Sequence, residues 1–284
     1  MPNLPISHLP IATTLTGSNL IPVVRDGVTQ QSELSHVFDS VDQIQFNTSS
    51  ATITETVGKL YWDDQEGTLN LGLKGGTVSL QIGQEQVVRV VNKTGADLLE
   101  SEFRVVRIRT VGEGGAQGQR PAVLLAQADN RANTATILGV VTETIGNNQE
   151  GFITITGQVR EIDTTGAKSW NGEETWLDGD LLFLSDAHPG FLTNVPPAIR
   201  PVPIGIIEYA HQNKGKIFVR PSTGTDLDEV HGVEITTGSL TTGSLLSYNG
   251  SLWVNEPAPI LTSPNGTQFR LIVDDSGNLG TTSV

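Results

Sequence analysis

The chain has no cysteine, so neither a disulfide framework nor a thiolate site can be built from it. Charge is scarce at 17% of residues, and 31 acidic side chains face 17 basic ones, for a formal net charge of −14. Nonspecific binding to nucleic acid draws on counterion release against a positive face, and that balance disfavours it. No apolar run approaches the roughly 18 residues that a membrane helix needs, so no membrane span is expected. The opening MPNLPISHLP has no basic stretch followed by an unbroken apolar one and does not read as a signal peptide. Without such a signal, the glycosylation-type triplets at Asn47, Asn92, Asn249 and Asn265 read as turns.

Signatures of chemistry are missing as well. There is no HExxH, no GxSxG and no glycine loop ending in Gly-Lys-Ser/Thr. The histidines His8, His36, His188, His211 and His231 are scattered without ligand spacing. Acidic pairs at Glu173-Glu174, Asp178/Asp180 and Asp274-Asp275 sit in turn-like stretches. The cluster Asp63, Asp64 and Glu66 reads as a solvated turn ahead of a cation site. No catalytic residue, metal ligand or cofactor is expected, and the chain is not expected to be an enzyme.

What is present is β-sheet sequence. Between Leu60 and Pro221, short β-branched runs alternate with Gly, Asn and Asp turns, the pattern of an all-β barrel or sandwich. Expected strands include Val87–Lys93, Phe103–Val111, Ala122–Ala128 and Ile137–Ile145. Phe152–Thr156, Gln158–Ile162, Leu181–Leu184, Phe191–Val195, Ile204–Tyr209 and Lys216–Val219 follow. Leu60 and Trp62, Leu69 to Leu73, and Val78 to Ile82 alternate with polar or glycine neighbours, which predicts half-buried strands. Arg107 and Arg109 are expected on one strand face, paired across strands with glutamates. The C-terminal part reads as hairpins, one turning at Asn249-Gly250 and others at Pro264–Gly266 and Asp274–Asn278. Isolated hairpins are marginal in water, so wrapping with sister chains is expected.

The first 30 residues form an apolar arm interrupted by prolines, too short to bury a core of its own. Asp26-Gly27 predicts a small hairpin between Ile21–Val24 and Val28–Gln30. Ser32 offers a helix N-cap, and Leu34, Val37, Val41 and Ile44 then follow at steps of three and four. Two readings stand for that helix: an amphipathic surface helix, or a short parallel bundle that registers three chains. Trp170 and Trp176 flank an acidic loop and are candidate glycan-binding residues, with burial in the core the competing reading.

The segment ISHLPIATTLTGSNLIPVVRDGVTQQSELSHVF resembles the N-terminal module of tailed-phage fibre and baseplate-associated proteins. The matching positions are Ile6, Ser7, Leu9, Pro10, Ala12, Leu15, Gly17, Leu20, Pro22, Val23, Val24, Asp26, Gly27 and Leu34. The stretch around Leu60–Leu73 and the C-terminal hairpins also look like fibre modules. The strand order over residues 85–221 resembles the small barrel of head-decoration proteins. These resemblances imply a structural virion protein, a homotrimeric tail or neck fibre, with capsid decoration as the alternative and a polysaccharide-degrading tailspike behind both. They imply virion docking through Ile6, Leu9, Leu15, Leu20, Val23 and Val24, with trimerisation through Leu34, Val37, Val41 and Ile44. Other virion proteins of tail, neck or capsid, and host surface polysaccharide, are the implied partners. The expected segments are an attachment arm and short helix at 1–44, a linker and trimerising β segment at 45–84, a central β-barrel at 85–222 and β-hairpins at 223–284.

Overall fold

A computed structural model describes residues 20–33, 43–48, 56–74, 78–198, 200–223, 227, 230–241, 243–256 and 259–284. The chain is nearly all β and divides into two compact units, 1–81 and 82–284.

In the first unit, β1 (Leu20–Arg25) and β2 (Val28–Glu33) form the expected hairpin, turning at Asp26 (φ 52°) and Gly27 (φ 75°). Two consecutive left-handed residues match the twist of the strands, which is why an Asp-Gly pair serves there. Ser32 is not an N-cap. It lies in β2 opposite Ile21, where the hairpin ladder takes its backbone. Leu34, Val37 and Val41 lie outside the described residues, and Ile44 is exposed in irregular chain.

A separate sheet follows in the order β3 (Leu60–Asp63), β4 (Thr68–Gly72), β5 (Ser79–Gln81). Its polarity is the reverse of the usual pattern. The polar row Tyr61, Asn70 and Gln81 is buried, with Asn70 Nδ2 donating to Asp63 Oδ2 at 3.1 Å. The apolar rows Leu60–Leu71–Leu80 and Trp62–Leu69 take the other face, where Leu60 is exposed and the rest are half-buried.

The second unit is organised by one long strand. β6 (Glu85–Asn92), β7 (Val105–Ile108), β8 (Ala122–Leu125) and β9 (Ile137–Val141) precede β10 (Glu150–Ile162). The sheet order β10-β6-β8-β7-β9 returns to β10 through Ile153↔Val141 and Thr154↔Val140, closing a five-stranded barrel. Past Thr154, β10 leaves β9 and pairs from Gly157 onward with β14 (Gly215–Val219). There a second sheet extends through β13 (Pro203–Tyr209) and β11 (Leu181–Leu184) to β12 (Leu192–Thr193).

Period 2 divides the strand residues between two cores. Val90, Val106, Val123, Val141 and Ile153 fill the barrel. Their neighbours Val105 and Val140 point out of it and pack with Leu182, Leu184, Ile204, Ile217 and Val219 of the second sheet. Gly139 lets the strands close: a Cβ there would strike the Thr154 carbonyl.

Three expectations are corrected here. Phe152–Thr156 and Gln158–Ile162 are one strand: the ladder with β6 shifts register between Thr154 and Thr156, and Gly157 (φ 113°) stays in it opposite Glu85. The strand expected at Phe103–Val111 is shorter, since Phe103 is left-handed (φ 52°) and Val111–Glu113 is a turn of 3-10 helix. The turn at 129–135 contains a short helix, α1 (Arg131–Thr134), whose first free N–H groups are met when the Asn130 side chain accepts from Asn133 N at 3.0 Å.

Beyond Val219 no described apolar side chain is buried. One sheet has the order β15 (Val233–Glu234), β17 (Trp253–Glu256), β16 (Leu245–Tyr248). Another has the order β18 (Ile260–Thr262), β19 (Gln268–Val273), β20 (Leu279–Ser283).

Ile153→Ala should lower unfolding stability by about 2–5 kcal/mol through the cavity left in the barrel. Gly157→Ala, which sets a Cβ against the Gln84 carbonyl, should cost about 1–3 kcal/mol. Denaturant melts of both variants against the wild-type chain check this.

Candidate functional site

The two tryptophans expected together have different fates. Trp176 is buried, 4% exposed, in the core under the second sheet, and its indole Nε1 donates to Glu174 Oε2 at 2.7 Å. Glu174 also accepts from Thr193 Oγ1 at 2.7 Å and Asn194 N at 3.1 Å. It is therefore the clamp that fixes the 163–180 loop to β12, because a carboxylate accepting several donors holds each of them in place.

Trp170, carried by that clamped loop, is 55% exposed. One of its faces is covered by the His188 ring, 3.8 Å away and nearly parallel at 13°. His188 is fixed in turn. Its backbone N–H donates to Ser185 Oγ at 3.0 Å, its ring meets Phe191 edge-on at 6.3 Å, and Arg104 lies 3.2 Å above the Phe191 ring. The loop and the β11–β12 turn thus hold an indole in one orientation beside a groove of about 350 Å³. Trp170, Asp186, His188, Val195, Pro196 and Pro197 are among its lining residues. A rigid aromatic face with polar groups beside it suits the apolar C–H face of a sugar ring.

A second, larger groove of about 560 Å³ lies among Glu100, Phe103, Glu161, Asp163 and Lys168. Two of its lining residues are left-handed without being glycine, Phe103 and Glu161 (φ 60°). Burial raises the Glu100 carboxyl above its usual range. It does the same for the nearby Glu143, whose carboxylate accepts from Phe152 N at 2.7 Å and feels the Glu100 charge. Among the described residues, no hydroxyl donates to a histidine ring and no three His, Asp or Glu side chains are placed to hold a metal. Asp63 Oδ1 accepts from the N–H groups of Gln65 (3.0 Å) and Glu66 (3.3 Å), which makes it the organiser of its own turn.

Of the docking residues, Ile6, Leu9 and Leu15 lie outside the described residues, and Val23 sits in β1 opposite Gln30. Leu20 and Val24 are 56% and 73% exposed. Arg107 is not paired across strands. It meets Glu113 in the turn that follows its own strand, with Nη1 donating to Oε2 at 2.9 Å. His188 and Phe191 were not singled out from sequence. The turn Asp186–Gly190 was legible, but nothing in its spacing points at a tryptophan some twenty positions earlier.

No protein-family model matches the chain, and a comparison with curated proteins finds no match either. Among the described residues no helix is long and apolar enough to cross a membrane.

The bond from Arg107, followed by that from Thr110 N, holds Glu113 down from its ordinary 4.5 to about 2. A depressed carboxyl stabilises the fold above its unfolded value, and that contribution is lost as pH falls from about 4.5 toward 2. Thermal midpoints measured across that window should fall less steeply for Glu113→Gln than for the wild type. Trp176→Ala should cost about 3–5 kcal/mol of stability, and Trp170→Ala, at an exposed site, should stay within about 0.5 kcal/mol of wild type.

Proposed function

We propose that this chain is a non-enzymatic structural protein of a tailed-phage virion, a homotrimeric tail or neck fibre anchored by its N-terminal arm. The observation that carries the reading is where burial stops. Among the described residues both apolar clusters lie within 88–219, whereas the sheets before and after have no cluster of their own. Small sheets that bury no apolar cluster have little independent stability in water. A chain with such sheets on both sides of its buried clusters completes its fold by assembly, as a fibre subunit does. The low charge content fits large subunit contacts. The matching residues of the N-terminal segment, from Ile6 to Leu34, support attachment to other virion proteins.

In this reading the Trp170 groove is the contact to host surface polysaccharide, and three copies add avidity to a weak single site. Capsid decoration is the second reading, favoured by the closed barrel of residues 85–162, which would sit on a shell in place of a tail. A polysaccharide-degrading spike would need catalytic carboxylates at a cleavage site, and the larger groove is where they would be sought.

Light scattering of the full chain should give about three times the 30.3 kDa chain mass at micromolar concentration; a monomer would overturn the homotrimer. Trp170→Ala should bind host polysaccharide about tenfold more weakly with its mass unchanged. Equal binding by the variant would remove the groove from host contact.

A further inference from the structure

We infer that copies of this chain meet through the charge-free faces of the two C-terminal sheets, and that these faces, rather than the helix expected at Leu34–Ile44, are the assembly device. The inference rests on the self-assembling reading given above and names the surface that does the work.

Register decides which side chains share a face. In the first sheet Val233, Trp253 and Tyr248 stand in one row and Leu246 is beside Asn255 in the next. Tyr248 is 56%, Trp253 48% and Leu246 42% exposed, and the Tyr248 and Trp253 rings are 5.6 Å apart. The one polar member of the face is turned to its own chain: Asn255 Oδ1 accepts from Thr236 N at 2.7 Å and its Nδ2 donates to Ser239 Oγ at 2.9 Å. In the second sheet Leu261, Phe269, Leu271, Val273 and Leu279 share a face, with Leu279 74% and Val273 63% exposed. Neither face carries a charged residue.

The charges lie on the opposite sides. Arg270 of one sheet reaches Glu256 of the other at 3.7 Å, and these sides also carry exposed Leu245 (46%) and Ile272 (47%). The ion pair is half-buried, and what sets the other two faces apart is that they are apolar without any charge.

The occupant of such a face is set by electrostatics. Two chains of net charge −14 repel over most of their surface. They approach at least cost where neither brings a charge, and burying these side chains then supplies the attraction. A basic partner, drawn by the net charge, would find no counter-charge on this patch. A second copy presents the same uncharged face, and closed symmetry lets each face serve and be served.

The test uses the full chain with Tyr248→Glu and Leu279→Glu together, beside Leu34→Glu and the conservative Leu279→Ile, each followed by sedimentation over a concentration series and by thermal unfolding. Because both positions are exposed in the single chain, the double variant should keep the main unfolding transition of the barrel. It should self-associate at least about tenfold more weakly, whereas Leu34→Glu and Leu279→Ile should assemble as wild type does. A double variant that assembles normally, or loss of assembly only in Leu34→Glu, overturns the inference and leaves the self-assembling reading standing. A wild-type chain that is monomeric throughout overturns both.

Discussion

The second unit depends on β10 holding two different neighbours along one edge. Its first half closes the barrel on β9, and its second half opens a new sheet on β14, while β6 stays on the other edge past the handover. A closed barrel leaves no unpaired edge within itself, but a strand that must also leave it needs a local change of twist. The register shift against β6 between Thr154 and Thr156 supplies it, Gly157 follows at a φ that a residue with a side chain rarely adopts, and Gly139 gives the close approach on the β9 side. Because one strand builds both layers, the barrel interior and the layer beneath the second sheet form two cores on the two faces of the same backbone. The Trp170 loop rides on that second layer, clamped through Glu174 to β12.

Outside 88–219 the balance is different. Both buried apolar clusters lie in the barrel and the sheet that continues it, and among the described residues the flanking sheets have none of their own. Their hydrogen-bond ladders are complete, yet their apolar faces end in water or are only half-covered. Backbone pairing alone contributes little net stability, since the unfolded chain bonds to water instead. The missing part is apolar burial, which in the proposed assembly a second copy supplies at the charge-free faces of the C-terminal sheets.

Much of this was legible in the residues. Asp26-Gly27 marks a hairpin because both turn residues are left-handed, Asn249-Gly250 opens a four-residue loop in which Gly250 is left-handed and the Asn249 side chain accepts from Ser251 N and Leu252 N, and runs such as Leu181–Leu184 and Lys216–Val219 fall inside real strands. What alternation cannot reveal is which face goes inward. In β3–β5 the alternation predicts half-buried strands, and Trp62, Leu69, Leu71 and Leu80 are half-buried, but the more deeply buried row is Tyr61, Asn70 and Gln81. Nor can local pattern foresee a glycine that continues a strand. Gly157 read as a break because its partners, Glu85 and Val219, are far away in sequence. Trp170 and Trp176 look alike in sequence, both beside acidic and glycine residues; only the Glu174 clamp, made by residues of β12 and its neighbour, sends one inside and leaves the other at a groove.

The central claim is that the C-terminal sheets are held by other copies of the chain while the barrel holds itself. Amide hydrogen exchange of the full chain, read above and below the concentration at which it dissociates, addresses that directly. Protection in β6–β10 should be the same in both conditions, and protection in β16–β20 should appear only in the assembled chain. Equal protection of β16–β20 in the monomer would contradict the account, because those sheets would then need no partner.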